Sequence, residues 1–264
     1  MSFYGGIDRG ELRFFEGIDG EGRTYWSGCA WQLGTARFWE VLAEDTCNAG
    51  SYRLGATLRE ELAACIVGGF GATWNHVQPF IDRLRSEGLL VDGRATTQDD
   101  IYRALVEPVV VDGRAVRYRF PAQRSERLAN AFSAIDGVDV ERMSDLQLRN
   151  FLLTVRGVGL KTASWVVRNL RASDQVAIID VHIARAGVVA GVFDAEWRVA
   201  RDYLRFERAF LAWSQHARVE APKLDATIWA VLSGRNSSSQ DILGVETFSS
   251  NELLPVWPVL DEAG

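Results

Sequence analysis

Two stretches whose apolar residues recur at helical spacing meet at Arg156-Gly157-Val158-Gly159-Leu160, and nothing else in the chain constrains its fold as much. Upstream, Ser144 precedes Leu146, Leu148, Phe151, Leu152 and Val155; downstream, Ala163, Val166, Val167 and Leu170 follow Lys161. Serine is a favoured helix N-cap, and apolar side chains three and four residues apart line one face of a helix. The spacing therefore predicts a helix, a hairpin of four or five residues and a second helix. In the hairpin, the first glycine permits a backbone turn barred to residues with a Cβ. The second leaves room for an anion, a phosphate above all, to approach the amides that open the following helix. A tight helix connection alone would use the same glycines, so their chemistry depends on what surrounds them.

The same periodicity predicts helices from Thr57 through Leu58, Leu62, Cys65 and Ile66 to Gly68-Gly69, and from Asn75 through Val77, Phe80, Ile81 and Leu84 to Gly88. A helix over 97–106 carries Asp99 and Asp100 in its first turn, ahead of an Asp112-Gly113 turn, and Pro121 opens another that stops at Asp136-Gly137. Further helices are expected at 182–190, 195–215 and 222–233. The chain has no internal repeat and reads as mainly α. Residues 1–56, rich in glycine and aromatics, form an N-terminal arm of unassigned role, within which Leu12-Arg-Phe-Phe-Glu through Arg23-Thr-Tyr-Trp reads as a hairpin or irregular arm; 57–235 form the core and 236–264 a loop-rich tail.

Composition removes several classes. With 264 residues, 47% hydrophobic and 24% charged, the chain is a globular protein rather than a disordered or fibrous one. No apolar run approaches the roughly 20 residues that span a bilayer, and the start of the chain has no basic patch leading into an apolar stretch. A cytoplasmic protein is expected. Cys29, Cys47 and Cys65 are odd in number and form no C-x-x-C pair, which predicts buried apolar fillers rather than disulfides, a zinc ribbon or an iron–sulfur cluster. Three scattered histidines predict no metal site, and His76 and His216 read as ordinary surface or core residues.

Net charge is −6 with a pI near 5.2, which taken whole argues against a nucleic-acid partner. The distribution argues the other way. Arg114, Arg117, Arg119, Arg124 and Arg127 face one acid in their stretch, Glu126, and from Arg142 to Arg171 six cations face Asp145 alone. Gln123 and Arg127 fall on the helix opened by Pro121, where a DNA-backbone contact and a solvated face are equally open. Among 29 basic residues only Lys161 and Lys223 are lysines. Arginine is never deprotonated in proteins, whereas a desolvated lysine amine loses its proton and becomes a nucleophile. Lys161 sits two residues beyond Gly159, and nineteen residues further on the apolar run Val176-Ala-Ile-Ile ends at Asp180.

Leu153-Thr-Val-Arg-Gly-Val-Gly-Leu-Lys-Thr-Ala-Ser and Val176-Ala-Ile-Ile-Asp-Val-His-Ile together resemble the helix-hairpin-helix DNA glycosylase superfamily. Lys161-Thr-Ala-Ser, Val167-Arg-Asn-Leu, Tyr118-Arg-Phe-Pro-Ala-Gln-Arg-Ser-Glu-Arg and Leu224-Asp-Ala-Thr-Ile-Trp are most similar to the 8-oxoguanine DNA glycosylase/AP lyases of the compact archaeal type. The resemblance covers about 114–233. It implies a helix-hairpin-helix glycosylase fold, with two helical subdomains flanking an active-site cleft, the hairpin at 145–170 and a less regular N-terminal arm. Damaged double-stranded DNA is the implied partner, with the protein a monomer and no membrane involved.

The implied chemistry is a flipped nucleotide, a desolvated Lys161 attacking C1′, and Asp180 stabilising the sugar's developing charge. Strand cleavage by β-elimination follows from the Schiff base, because members without the lysine use water and stop at base removal. Gly157, Val158 and Gly159, with Arg156 beside them, are the implied phosphate contacts of the hairpin, and His182 a further one, although it would also serve in capping or packing. Trp165 and Trp229 are placed at the base pocket, and the bulk of Trp165 departs from the family pattern. No organic cofactor and no iron–sulfur cluster are implied; an alkali cation on the hairpin carbonyls is compatible. Two other readings stay open at this point: a bifunctional glycosylase for another damaged or modified base, and a non-catalytic DNA-binding module in which Asp180 only caps a helix.

Overall fold

The computed structural model describes residues 10–45, 52–68 and 74–233. Strands β1 (Leu12–Glu16) and β2 (Gly22–Trp26) form an antiparallel hairpin in which Leu12 pairs with Trp26, and α1 spans Ala36–Asp45. Helix α2 (Leu58–Val67) is capped by the Thr57 side chain, which accepts from the Glu60 amide; α3 spans Trp74–Ser86, and α4 (Gln98–Val106) opens with a reciprocal Thr97–Asp100 capping box. Strands β3 (Val109–Val111) and β4 (Arg114–Val116) pair around Asp112-Gly113, with φ of 48° and 74°. Two consecutive residues with positive φ are what a tight two-residue hairpin turn requires. Helix α5 (Pro121–Ile135) has its proline in the first turn, where the missing N–H costs nothing. After a 3-10 turn at Val140–Arg142 come α6 (Asp145–Leu152), α7 (Leu160–Arg171), α8 (Val181–Val189), α9 (Val199–Ala217) and α10 (Ala221–Leu232). The protein is mainly helical, as the spacing predicts.

These elements divide into two compact units, one of residues 51–176 and the other of 1–50 with 177–264. In the first, α2 is buried along most of its length and packs against α3, α5 and α7. Leu62, Ile66, Phe80, Leu84, Ile101, Leu128, Phe132, Leu152 and Val167 share that core. The two charged residues of α2 that burial encloses are satisfied individually. Arg59 donates to the carbonyls of Leu89 and Arg94 and lies 3.9 Å from the Phe132 ring centroid. Glu61 accepts from the Leu54 and Gly55 amides at 2.8 and 2.9 Å and from Asn169 Nδ2 at 2.8 Å, tying the start of α2 to the far half of α7. Burial pushes the Glu61 carboxyl above its ordinary value, against those hydrogen bonds.

In the second unit, Trp39, Phe206, Phe210, Trp213, Ile183, Leu224 and Ile228 are buried together with a carboxylate, Glu40. Glu40 accepts both terminal nitrogens of Arg13, with Nη2 at 3.1 Å, and Trp213 Nε1 at 2.9 Å. One acid thereby joins β1, α1 and α9. The hairpin expected over residues 12–26 is present as β1–β2, whereas helix α1 further along the same arm corrects its irregular reading; a buried glutamate within the apolar face of α1 hides the periodicity. The arm is also not a separate segment, because α1 packs on α10 and β1 on α9. The sequence boundaries at 56 and 235 thus differ from the compact units. Cys29 and Cys65 are buried free thiols. Cys47 and the tail expected at 236–264 lie outside the described residues. No described helix is long and apolar enough to cross a membrane.

Candidate active site and nucleic-acid interface

The hairpin is built in the 51–176 unit. Helix α6 ends at Leu152, and turns through Val155 N to Leu152 O (3.1 Å) and Val158 N to Val155 O (3.0 Å) bring the chain back into α7. Val158 is buried and anchors this turn. Gly157 has φ +86°, so a side chain there is strained, and a Cβ would also come 2.9 Å from Arg127 Cγ. Gly159 is the N-cap of α7 without positive φ, and a Cβ on it meets nothing within 4 Å. The two glycines therefore differ as the spacing predicts: the first is demanded by the turn, and the second borders open space at the N-terminus of a twelve-residue helix. That terminus presents amides without intrahelical acceptors and the positive end of the helix dipole.

Arg127 contributes something its place in the sequence does not reveal. Its side chain lies half-buried across Gly157, so α5 braces the hairpin through an arginine stem rather than presenting it to solvent. Burial, and then Arg124, lower its pKa, so an arriving anion would relieve an unfavourable environment. Arg156 is exposed and pairs with Glu126 at 3.3 Å, and Gln123 is exposed on α5. Below this surface Tyr118 donates to the Val67 carbonyl at 2.7 Å, and burial pushes its hydroxyl up to about 12.

Lys161 stands in the first turn of α7, exposed, with Nζ 5.9 Å from the ring centroid of half-buried Trp165 one turn on. It makes no ion pair among the described residues. The expectation of a desolvated amine is therefore corrected for the protein without DNA: the side chain is exposed, with the Trp165 ring beside it.

Asp180, His182 and Trp229 belong to the other unit. The apolar run before Asp180 is buried and lies in neither helix nor strand, and side chains of α9 bond backbone groups of Ala177 and Ile179. Tyr203 Oη donates to the Ala177 carbonyl at 2.8 Å and accepts from Ile179 N at 3.3 Å, while Glu207 accepts from Ala177 N at 3.1 Å. Asp180 then caps α8, its Oδ1 accepting from the amides of His182 at 2.8 Å and Ile183 at 2.9 Å. Its Oδ2 has no hydrogen-bond partner among the described residues. The capping role foreseen for this aspartate is thus present, and one oxygen is left over from it. His182 is half-buried, and Trp229 on α10 is 50% exposed. His216 Nδ1 lies 3.3 Å from the Tyr25 hydroxyl. No group of three metal-ligating side chains is gathered among the described residues.

Residues 94–219 match the sequence profile of the Ogg helix-hairpin-helix family, described as 8-oxoguanine DNA glycosylase. Over that span the chain is similar to the Ogg family. Solved structures share the fold. The 8-oxoguanine DNA glycosylase of Thermotoga maritima is 22% identical with a TM-score of 0.51, over 78% of this chain and 91% of that one. The 8-oxoguanine glycosylase/lyase of Methanocaldococcus jannaschii, in complex with a 15mer DNA containing 8-oxoguanine, is 20% identical with a TM-score of 0.53, over 76% and 88%. A second structure of the Methanocaldococcus jannaschii 8-oxoguanine DNA glycosylase is 22% identical with a TM-score of 0.50, over 75% and 84%. The Ogg match takes in β3–β4, the hairpin, Lys161 and Asp180, and it ends before α10 and Trp229.

Proposed function

We propose that the protein is a bifunctional DNA glycosylase/AP lyase that removes an oxidised purine, 8-oxoguanine, from double-stranded DNA and then cuts the strand. The observation that carries this reading is Lys161. In a chain that uses arginine for nearly every cation, a lysine stands exposed at the start of α7, directly after a hairpin whose second glycine leaves the helix amides open. A phosphate contact alone tolerates arginine, whereas Schiff-base chemistry does not.

The steps assigned to these residues balance. Flipped out of the stack, the nucleotide presents C1′; closure of DNA over Lys161 supplies the desolvation that the free protein lacks. The Nζ lone pair bonds to C1′ as the glycosidic bond breaks, its electrons leaving with the purine, which takes up a proton. Asp180 offers negative charge to the cationic sugar and receives the lysine proton. Asp180 returns that proton to O4′ as the C1′–O4′ bond breaks, and the nitrogen lone pair, moving onto C1′, gives the protonated imine of the opened sugar. Loss of the C2′ proton then expels the 3′ phosphate, and hydrolysis returns the amine. Gly157, Val158, Gly159, Arg156, His182, Gln123 and Arg127 are assigned to the DNA backbone, and Trp165 and Trp229 to the base. No organic cofactor enters the scheme. An alkali cation on the hairpin carbonyls would add to phosphate binding, which exchange of potassium for tetramethylammonium tests.

The lesion is tested with duplexes carrying 8-oxoguanine opposite each of the four bases, beside oxidised-pyrimidine and undamaged controls. Base release with strand scission at 8-oxoguanine is expected. Release from an oxidised pyrimidine alone would replace the lesion while keeping the chemistry, and the room taken by Trp165 would explain it.

A further inference from the structure

In the 51–176 unit many arginines are engaged where they stand, by a carboxylate or by backbone carbonyls. Arg85, Arg103, Arg142 and Arg171 each pair with a carboxylate, and Arg59, Arg83 and Arg94 donate to backbone carbonyls. The run that leads into α5 differs. None of Arg114, Arg117, Arg119, Arg124 and Arg127 forms an ion pair among the described residues, although the chain as a whole carries a net charge of −6. Arg127 lies across Gly157, and both Arg127 and Arg124 are half-buried on α5. Arg114, beside the β3–β4 turn, and Arg117 are exposed; Arg119 is exposed too, its guanidinium 4.9 Å from the Phe120 ring centroid.

Three exposed guanidinium groups lie within six residues, and none is paired with a carboxylate among the described residues even though acids outnumber bases in the chain as a whole. Such an arrangement is relieved by an external line of negative charge. The strap is also continuous with the hairpin, since α5 carries it directly to Arg127 over Gly157 and to the Arg156–Glu126 pair.

We infer that residues 114–119, the β4 strand and the loop into α5, are a second phosphate-binding surface that continues the hairpin's hold along the duplex. This rests on the DNA-binding part of the proposed function and not on its chemistry. The strap takes backbone phosphates without regard to sequence, because exposed guanidinium groups unbraced by carboxylates act as mobile charges rather than as bidentate base readers.

The test compares salt dependence. Binding of an undamaged duplex is titrated by fluorescence anisotropy between 50 and 200 mM KCl for the wild type, for Arg114→Gln/Arg117→Gln/Arg119→Gln, and for a control of equal charge change, Arg85→Gln/Arg103→Gln/Arg142→Gln. Each phosphate that a cation neutralises adds about 0.9 to the slope of log K against log salt, so removing three such cations makes the affinity loss over this fourfold salt range about 40-fold smaller. The strap variant is expected to show that shallower slope, and the control to keep the wild-type slope. Equal slopes for the two variants, with unchanged circular-dichroism melting, overturn the inference, as does a wild type that binds no duplex. A wild type that shows the slope difference yet forms no covalent adduct on abasic DNA leaves the strap standing and removes the lyase reading.

Discussion

Asp180 caps α8 and, in the proposed mechanism, also serves the cationic sugar; substituting it in two ways tells these duties apart. Its Oδ1 accepts two amides at the start of α8, at 2.8 and 2.9 Å. Replacing a capping carboxylate by alanine costs about 0.5–2 kcal/mol, and the lost charge at a helix N-terminus about 0.3–1 kcal/mol more. With two amides orphaned, Asp180→Ala is expected to lose about 2 kcal/mol. Asparagine keeps an acceptor oxygen and is an equally good cap, so Asp180→Asn loses only the charge contribution. At roughly 2–4 °C per kcal/mol for a chain of this size, the melting transition falls by about 4–8 °C in the alanine variant and about 1–3 °C in the asparagine variant. Catalysis orders the two differently. The negative charge is what the cationic sugar needs, so both variants are expected to lose about 100-fold or more in single-turnover strand cleavage of an 8-oxoguanine duplex, a magnitude typical of removing one preorganised electrostatic partner. Scanning calorimetry and the cleavage assay on the same preparations check both. An Asp180→Asn protein that cleaves at the wild-type rate would refute the reasoning, leaving helix capping as the residue's whole contribution.

The two hairpin glycines are expected to separate in the same spirit. Gly157→Ala places a Cβ at φ +86° and 2.9 Å from Arg127 Cγ, and loses about 1–2 kcal/mol in urea denaturation; trimming Arg127 as well relieves the clash but not the backbone strain. Gly159→Ala has open space around it and is expected to melt within about 1 kcal/mol of the wild type while binding duplex more weakly, because the methyl group stands over the helix amides. Glu40→Ala leaves the buried Trp213 Nε1 without its acceptor and Arg13 with Glu11 alone, and should cost about 1–3 kcal/mol, read as a lowered urea midpoint. Burial raises the Glu61 pKa in the fold, so the folded state binds its proton more tightly than the unfolded chain does. Glu61's contribution to stability therefore falls as pH rises from the ordinary carboxyl value of about 4.3 through the raised one. Urea midpoints of wild type and Glu61→Gln across pH 4–8 should show the wild type losing ground relative to the variant as pH rises.

Helices whose ends carry their own punctuation are legible in the sequence. Thr57, Thr97, Ser144 and Pro121 open α2, α4, α6 and α5 at the positions their chemistry predicts, because a cap or an N-terminal proline is a local interaction. Helix α1 is not legible. Glu40 interrupts its apolar face, and the partners that make a buried carboxylate tolerable there, Arg13 and Trp213, lie 27 and 173 residues away. The β3–β4 strands are three residues each, too short for an alternating pattern, so only their Asp112-Gly113 turn is visible.

At the site, the difference between Gly157 and Gly159 is readable from the steric needs of a hairpin. Three other features are not. The exposure of Lys161, the stem of Arg127 across Gly157 and the lack of an ion pair from a distant described residue to Arg114, Arg117 or Arg119 are all properties of residues brought near or kept away, and spacing along the chain does not encode them.

The central claim, that Lys161 is the nucleophile, is tested most directly by borohydride trapping followed by peptide mapping. Wild type, Lys161→Gln and Lys161→Arg are each incubated with an abasic duplex and with an 8-oxoguanine duplex in the presence of borohydride, and the cross-linked peptide is located by mass spectrometry. The account predicts a covalent adduct on both duplexes for the wild type alone, carried on the peptide that contains Lys161. An adduct mapped to another amine, or undiminished trapping by Lys161→Arg, would contradict it.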